Sequence, residues 1–243
     1  MSPSRVPIRI GCCGFPVNKR RYAQFFFVVE VQQTFYQPPQ TETLARWRTE
    51  VPEDFEFTLK AWQLITHEAT SPTYRRLREK ISSRAAARYG AFQPTDEVFA
   101  AWQRTAEAAH ALRARIILFQ CPARFTPTAE HIANLRTFFR RIARQRFRFA
   151  WEPRGAWEAK TVARLCQELD LIHAVDPFKA SPAWGTLNYF RLHGRTGYRY
   201  RYTADDLRAL LALCRGRKTS YLLFNNLAMF DDARRCQRLL ART

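Results

Sequence analysis

The sequence predicts one parallel α/β barrel of eight strands, with a helical segment inserted after the third strand. Eight short apolar runs that end in polar residues alternate with helical segments, apart from a weak link between the sixth and seventh. No linker or internal repeat divides the 243 residues, a usual length for a single domain of this kind. Hydrophobic residues make up 47% of the chain, enough for a large core and too many for general disorder.

Ile8-Arg9-Ile10 reads as the first strand, running into Gly11-Cys12-Cys13-Gly14. Those glycines fit no phosphate-loop pattern. Phe25 to Tyr36 is expected as the second strand and its extension, with Val28, Glu30, Gln32 and Thr34 on one face. A carboxylate inside an apolar strand needs a partner, so Glu30 belongs either to a site or to an internal ion pair. Thr41 to Glu50 reads as a helix capped by Thr41 or Thr43. The alternation from Phe55 to Lys60 is the third strand. Lys60 at its end can hold an anion, act as a desolvated amine nucleophile, or pair with a carboxylate such as Glu30. Ser71 to Pro94 is the longest irregular excursion. Ser71-Pro72-Thr73 is expected to start a helix bearing Arg75, Arg76 and Arg78, and the insert to cover the barrel mouth.

Asp96 to Leu112 is a helix with Phe99, Trp102, Ala106 and Ala109 on one stripe. Ile116 to Pro122 is the fourth strand, apolar on both faces until Gln120, as a parallel strand covered on both sides requires. Thr128 to Arg144 is a helix whose Arg136, Arg140, Arg141 and Arg144 form a solvated basic face or a phosphate-tracking stripe. The fifth strand starts at Phe147 and stops abruptly at Glu152-Pro153-Arg154. A helix follows from Trp157 to Leu169. Leu171 to Pro177 is the sixth strand and includes Asp176, and the link after it carries little helical signal. Tyr189 to Gly194 is the seventh, with Tyr189, Arg191 and His193 on one face. A loop holding Tyr198, Tyr200 and Tyr202 leads to a helix capped by Thr203. Ser220 to Asn226 is the eighth strand, and Ala228 to Leu240 the last helix.

The formal charge is +19, from a basic set of 34 Arg and 6 Lys. Such a field attracts polyanions, nucleic acid first, although the Arg excess also reads as a compositional bias. The six cysteines are scattered without CxxC spacing, which favours buried free thiols in a reducing compartment over a metal cluster. No apolar run reaches the length of a membrane span. Met1-Ser2-Pro3-Ser4-Arg5 leads into no apolar signal segment, and a cytoplasmic location is expected.

Functional groups of such a barrel gather at the C-terminal ends of its strands. Here these are Glu30, Lys60, Gln120, Glu152, Arg154, Asp176, Arg191, His193, Asn225 and Asn226. Acids are scarce in this chain, yet three strands end near one. Glu30, Glu152 and Asp176, with His193, form a candidate divalent-metal set. Lys60, Arg154 and Arg191 can instead neutralise the same acids with no ion present. His193 is the best acid–base candidate by its ordinary titration range, and Arg154 should lower the Glu152 pKa. Tyr198 and Tyr200 can stack on bases or sugars, or can simply pack over the mouth.

At these residues the chain resembles the YecE-like family, domain of unknown function 72. The matching motifs are Gly11-Cys12-Cys13-Gly14-Phe15, Val29 to Tyr36, Phe55 to Ala61 and Ile65-Thr66-His67. Further matches are Phe119-Gln120-Cys121-Pro122, Trp151-Glu152-Pro153-Arg154, Tyr189 to Gly194 and Phe224-Asn225-Asn226. The resemblance implies a TIM-type (β/α)8 barrel. It also implies that Glu30, Thr34, Tyr36, Lys60, His67, Gln120, Glu152, Arg154, Arg191, His193 and Asn225 stand at signature positions. It implies no activity. The chain departs from the commoner family pattern at Phe15-Pro16, where Trp and Ser/Tyr are usual.

Three functional readings follow. The first is a hydrolase acting on a phosphodiester or glycosidic bond of nucleic acid or a sugar phosphate. Its catalytic residues would be Glu30, Glu152, His193 and Lys60. Thr34, Tyr36, His67, Gln120, Arg154, Arg191, Tyr198, Tyr200, Asn225 and Asn226 would bind an anionic small molecule or nucleic acid. The second is a non-catalytic nucleic-acid-binding protein. The third is a metal-free isomerase or aldolase with Lys60 as a Schiff-base amine.

Overall fold

The computed structural model describes residues 6–78, 81–216 and 218–242. The N-terminal stretch Met1–Arg5 lies outside them, as do Glu79 and Lys80 of the inserted segment. Eight short strands form where apolar residues alternate: β1 (Ile8–Cys13), β2 (Val28–Val31), β3 (Glu56–Lys60), β4 (Ile116–Gln120), β5 (Arg148–Glu152), β6 (Leu171–Val175), β7 (Asn188–Leu192) and β8 (Ser220–Phe224). All pair in parallel, in chain order, and β1 closes the barrel onto β8 through Ile8↔Ser220 to Cys12↔Phe224. The expected (β/α)8 barrel is the observed fold.

Alternation along each strand divides the core in two. Cys13, Val28, Ile116, Leu118, Ala150, Ile172, Ala174, Tyr189, Tyr221 and Leu223 fill the barrel. Their neighbours on the strands face the surrounding helices. The densest outer packing lies under α6 (Asp96–Ala111) and α7 (Ala129–Arg141). There Phe92, Trp102, Phe119, Phe138, Phe139 and Phe149 meet ring to ring, with centroids 5.0–6.3 Å apart. Such pairs add about 0.5–1.5 kcal/mol each beyond burial.

The second strand is shorter than the sequence pattern predicts. It ends at Val31, and the chain turns into α2 (Gln33–Tyr36). Thr34 therefore leaves the Glu30 face, and its hydroxyl donates to the Lys60 carbonyl at 2.7 Å. The next helix, α3 (Thr41–Thr49), starts after Gln40 with no side-chain cap, so neither threonine fills that role. After α4 (Gln63–Thr66), the inserted strap holds a 3-10 turn over Pro72–Arg76, capped by Ser71, and a short α5 (Ser83–Ala86). It returns through Gly90, Ala91 and Phe92, all at positive φ, whose N–H groups donate to Leu64, Thr66 and Ile65. A Cβ on Gly90 would collide with the His67 backbone, so glycine is required there.

Beyond β5 lies α8 (Ala159–Glu168), but the described residues between β6 and β7 contain no helix. His173 partly substitutes, its Nδ1 accepting the Ala183 N–H at 3.0 Å. The last two helices are α9 (Ala204–Leu213) and α10 (Met229–Leu240). Thr203 caps α9 in a full capping box with Asp206.

The basic face of α7 is engaged rather than open. Arg136 and Arg140 both grip Glu168, Arg144 binds the Leu169 carbonyl and pairs with Asp170, and Arg141 covers the Phe99 ring. All six cysteines are free and buried. Burial pushes the Cys166 and Cys236 thiols up to about 12, which makes them inert. Among the described residues no helix is long and apolar enough to cross a membrane.

Candidate functional site

Period two points Glu30, Glu152 and Arg191 from β2, β5 and β7 into the barrel, just below its C-terminal mouth. Arg191 is fully buried and joins the two acids. Its Nε and Nη2 grip Glu30 at 2.9–3.2 Å, and its Nη1 donates to Glu152 at 2.6 Å. Glu30 also accepts from Tyr189 at 2.8 Å and from Gln32. Thr58 supports the Tyr189 hydroxyl at 2.8 Å. The other Glu152 oxygen accepts from Arg154 Nε at 2.9 Å. Each carboxylate is thus held by a guanidinium and by further donors, the condition for burying charge without large loss.

Burial alone would raise the Glu152 carboxyl, but Arg191 and then Arg154 overcome it and hold it at about 2. A depressed carboxyl contributes stability that is complete above its ordinary value near 4.5 and lost as pH falls through about 2. Thermal melts between pH 5 and pH 2 should therefore show a steep loss in the wild type. Glu152→Gln should start less stable and lose less over that range. Parallel pH curves for the two proteins would refute the assignment.

His193 faces two guanidinium groups through one nitrogen. Nε2 lies 2.9 Å from Arg154 Nη2 and 3.3 Å from Arg191 Nη1. Guanidinium only donates, so Nε2 accepts and the ring carries its hydrogen on Nδ1, toward Asp176 at 3.6 Å. Asp176 in turn accepts the His193 and Phe178 backbone N–H groups. Glu30, Glu152 and Asp176 do not come together as a metal set. The first two are separated by Arg191, and the third is tied to backbone beneath His193. Among the described residues no cluster of three or more His, Cys, Asp or Glu has metal-binding geometry. The candidate divalent-metal set is therefore not assembled by these residues.

Above this layer opens a cleft of about 400 Å³, lined by Gln32, Gln33, Tyr36, Lys60, Arg76, Gln120, Arg154, Arg191, Tyr198 and Asn225. Among the described residues every charged side chain on that wall is a cation. Lys60 does not pair with Glu30, whose oxygens Arg191 occupies. Its Nζ rests 3.4 Å from the centre of the Phe35 ring. Burial first, and Arg191 next, bring the Lys60 amine down to about 7.

The structure gathers Tyr36, Lys60, Gln120, Arg154, Arg191, Tyr198 and Asn225 at the cleft, with Glu30, Glu152 and His193 supporting it from below. Thr34 and His67 are buried behind it. The His67 ring stands edge-on to Phe35, with Nδ1 2.8 Å from the Thr66 hydroxyl, and burial together with Lys60 takes it to about 3. Tyr200 and Asn226 do not line this cleft. The Tyr200 hydroxyl donates to Asp206 at 2.6 Å, and the Asn226 amide donates to the Tyr200 carbonyl and to Asp232. Sequence reasoning missed Gln32, Gln33 and Arg76 as cleft residues. For Gln32 the signal was its position two residues beyond Glu30.

A protein-family model described as "Protein of unknown function DUF72" matches residues 19–243. A DUF72 family protein from Enterococcus faecalis has a similar structure, with TM-score 0.73, 22% identity, and coverage of 97% of this chain and 98% of that one. A DUF72 family protein from Thermotoga maritima gives TM-score 0.68 and 18% identity over 97% and 99% of the two chains. A D-psicose 3-epimerase solved in the presence of D-fructose gives TM-score 0.60 and 13% identity over 96% and 98%. No curated protein matches the sequence.

Proposed function

Because the chain belongs to the DUF72 family, whose description assigns no activity, we propose its chemistry from its own cleft: a Schiff-base isomerase or aldolase that acts on an anionic carbonyl compound through Lys60. One observation carries this reading. The Lys60 amine is brought down to about 7 at the floor of a cleft whose charged lining, among the described residues, is cationic. An amine titrating there is substantially neutral, and therefore nucleophilic, at physiological pH.

The neutral amine attacks the substrate carbonyl carbon, a C–N bond forms, and the carbonyl oxygen, taking one proton from the amine and one from solvent, leaves as water to give an iminium. The iminium draws electrons from the adjacent carbon. Loss of a proton there to water gives an enamine; where the next C–C bond breaks instead, the fragment bearing the hydroxyl leaves as an aldehyde, its hydroxyl proton passes to water, and an enamine again remains. Protonation of the enamine and hydrolysis of the iminium return Lys60. Gln120 and Asn225 offer neutral hydrogen bonds to the substrate's hydroxyl groups.

The hydrolase reading draws less from the same geometry. Glu30 and Glu152 are already bound by Arg191, and the free nitrogen of His193 is covered by two arginines. None of these is placed to move a proton.

Borohydride reduction tests the assignment. The D-psicose 3-epimerase that shares the fold is named for a keto sugar, which makes phosphorylated ketoses and trioses the first probes. Reduction with fructose 6-phosphate or glyceraldehyde 3-phosphate should attach the probe to the Lys60 peptide, more at pH 8 than at pH 6. No adduct with any carbonyl probe, or an adduct that survives Lys60→Met, would overturn it.

A further inference from the structure

We infer that Arg76, carried over the mouth by the inserted strap and held against Tyr36, is the clamp for a phosphate group on the ligand, so that the cleft selects phosphorylated carbonyl compounds. This rests on the Lys60 reading for the carbonyl, and on independent observations for the phosphate.

The first observation is charge. Arg154 and Arg191 line the cleft, but their charge is spent on Glu152 and Glu30. Arg76 makes no hydrogen bond and no ion pair among the described residues. It is the wall's uncompensated guanidinium.

The second is placement. The Arg76 guanidinium carbon lies 3.5 Å from the centre of the Tyr36 ring, while Lys60 lies over the neighbouring Phe35 ring. The two ring centroids are 5.0 Å apart and the planes cross at 79°. Adjacent rings of one short helix thus present an amine and a guanidinium to the same cleft, within the span of a small ligand. A guanidinium stacked on a ring keeps its edge N–H groups free for bidentate recognition of an oxyanion.

The third is the tether. The Tyr74 hydroxyl donates to the His67 carbonyl at 2.7 Å, and Arg124 holds Thr70 at 2.7 Å. Tyr74, Leu77 and Ile81 pack against the core. Arg76 is therefore presented by an anchored segment, which lowers the entropy lost when it closes on a ligand. Phosphate suits Arg76 better than carboxylate because it brings more charge and more acceptor oxygens to the guanidinium edge, and the wall holds no acid among the described residues.

Calorimetry with glycerol 3-phosphate, which has the phosphate but no carbonyl, isolates the clamp. Arg76→Ala should weaken this binding at least tenfold without changing the melting temperature, because the side chain is exposed. Tyr36→Leu should weaken it several-fold while leaving Arg76 in place, and Tyr36→Phe should restore it, since only the ring is needed. In borohydride reactions the wild type should prefer glyceraldehyde 3-phosphate to glyceraldehyde, and Arg76→Ala should erase that preference by slowing only the phosphate ester. Glycerol 3-phosphate binding unaffected by Arg76→Ala, or bettered by a carboxylate such as glycerate, would overturn the clamp. Arg76-dependent binding with no adduct from any carbonyl probe would keep the clamp and sink the lysine reading. Adducts indifferent to both Arg76 and phosphate would do the reverse.

Discussion

Arg191→Met should leave little folded protein under conditions where the wild type is stable. The substitution strips the shared cation from two buried carboxylates, leaving Glu30 with no paired cation among the described residues and Glu152 with Arg154 alone. Breaking one such pair costs about 3–5 kcal/mol. In a chain of this length each kcal/mol lowers the melting temperature by about 2–4 °C, so a drop beyond ~10 °C is expected. The companion experiment separates lost charge from lost packing. Adding Glu30→Gln and Glu152→Gln to Arg191→Met removes the stranded charges and should recover much of the loss. A single variant that melts like the wild type would show that the acids protonate cheaply and that Arg191 is no structural hub.

Lys60→Met should act in the opposite direction on stability while abolishing borohydride adducts. The Lys60 amine falls from its ordinary 10.5 to about 7 on folding, chiefly through burial. Between those values the unfolded chain binds one more proton than the folded one, so the wild type gains stability as pH rises through that window. Below about 7 the folded protein carries a buried ammonium, and the cost is present in full. The methionine variant should therefore be the more stable protein at pH 6, by a few kcal/mol on the scale of such a shift. Its advantage should shrink between pH 7 and 10.5 and vanish above. Contact with the Phe35 ring offsets part of the cost, so the measured gain is an upper-bounded quantity. Equal melting curves at pH 6 would mean that the amine is not desolvated, and the nucleophile would lose its physical basis.

The parity of the strands made most of the site readable in advance. Glu30, Glu152, Arg191 and His193 end apolar runs in the phase that faces inward. Asn225 shares the phase of the inward Leu223, whereas Asn226 shares that of the outward Phe224 and leaves the site. The same rule failed at Thr34, because the helical turn at Gln33 reset the period. The insert was expected over the mouth with Arg75, Arg76 and Arg78 on it, and Arg76 does line the cleft, but which of the three enters was not readable. Residues 71–94 carry no sustained period, and the strap's course is fixed by contacts such as Tyr74 with the His67 carbonyl, which pattern cannot foresee. Pairing was hidden as well. The sequence reading offered Glu30 as a partner for Lys60, and only geometry assigns the acid to Arg191 and leaves the amine against the Phe35 ring.

Glu30 and Arg191 are 161 residues apart along the chain. At about 5–20 residues per second, synthesis of that interval takes roughly 10–30 s. Throughout it, the acid of the second strand has no seventh strand to neutralise it, and the growing barrel cannot shut around an isolated carboxylate. The first half of this protein should therefore be a poor folder by itself until the distant arginine has been made.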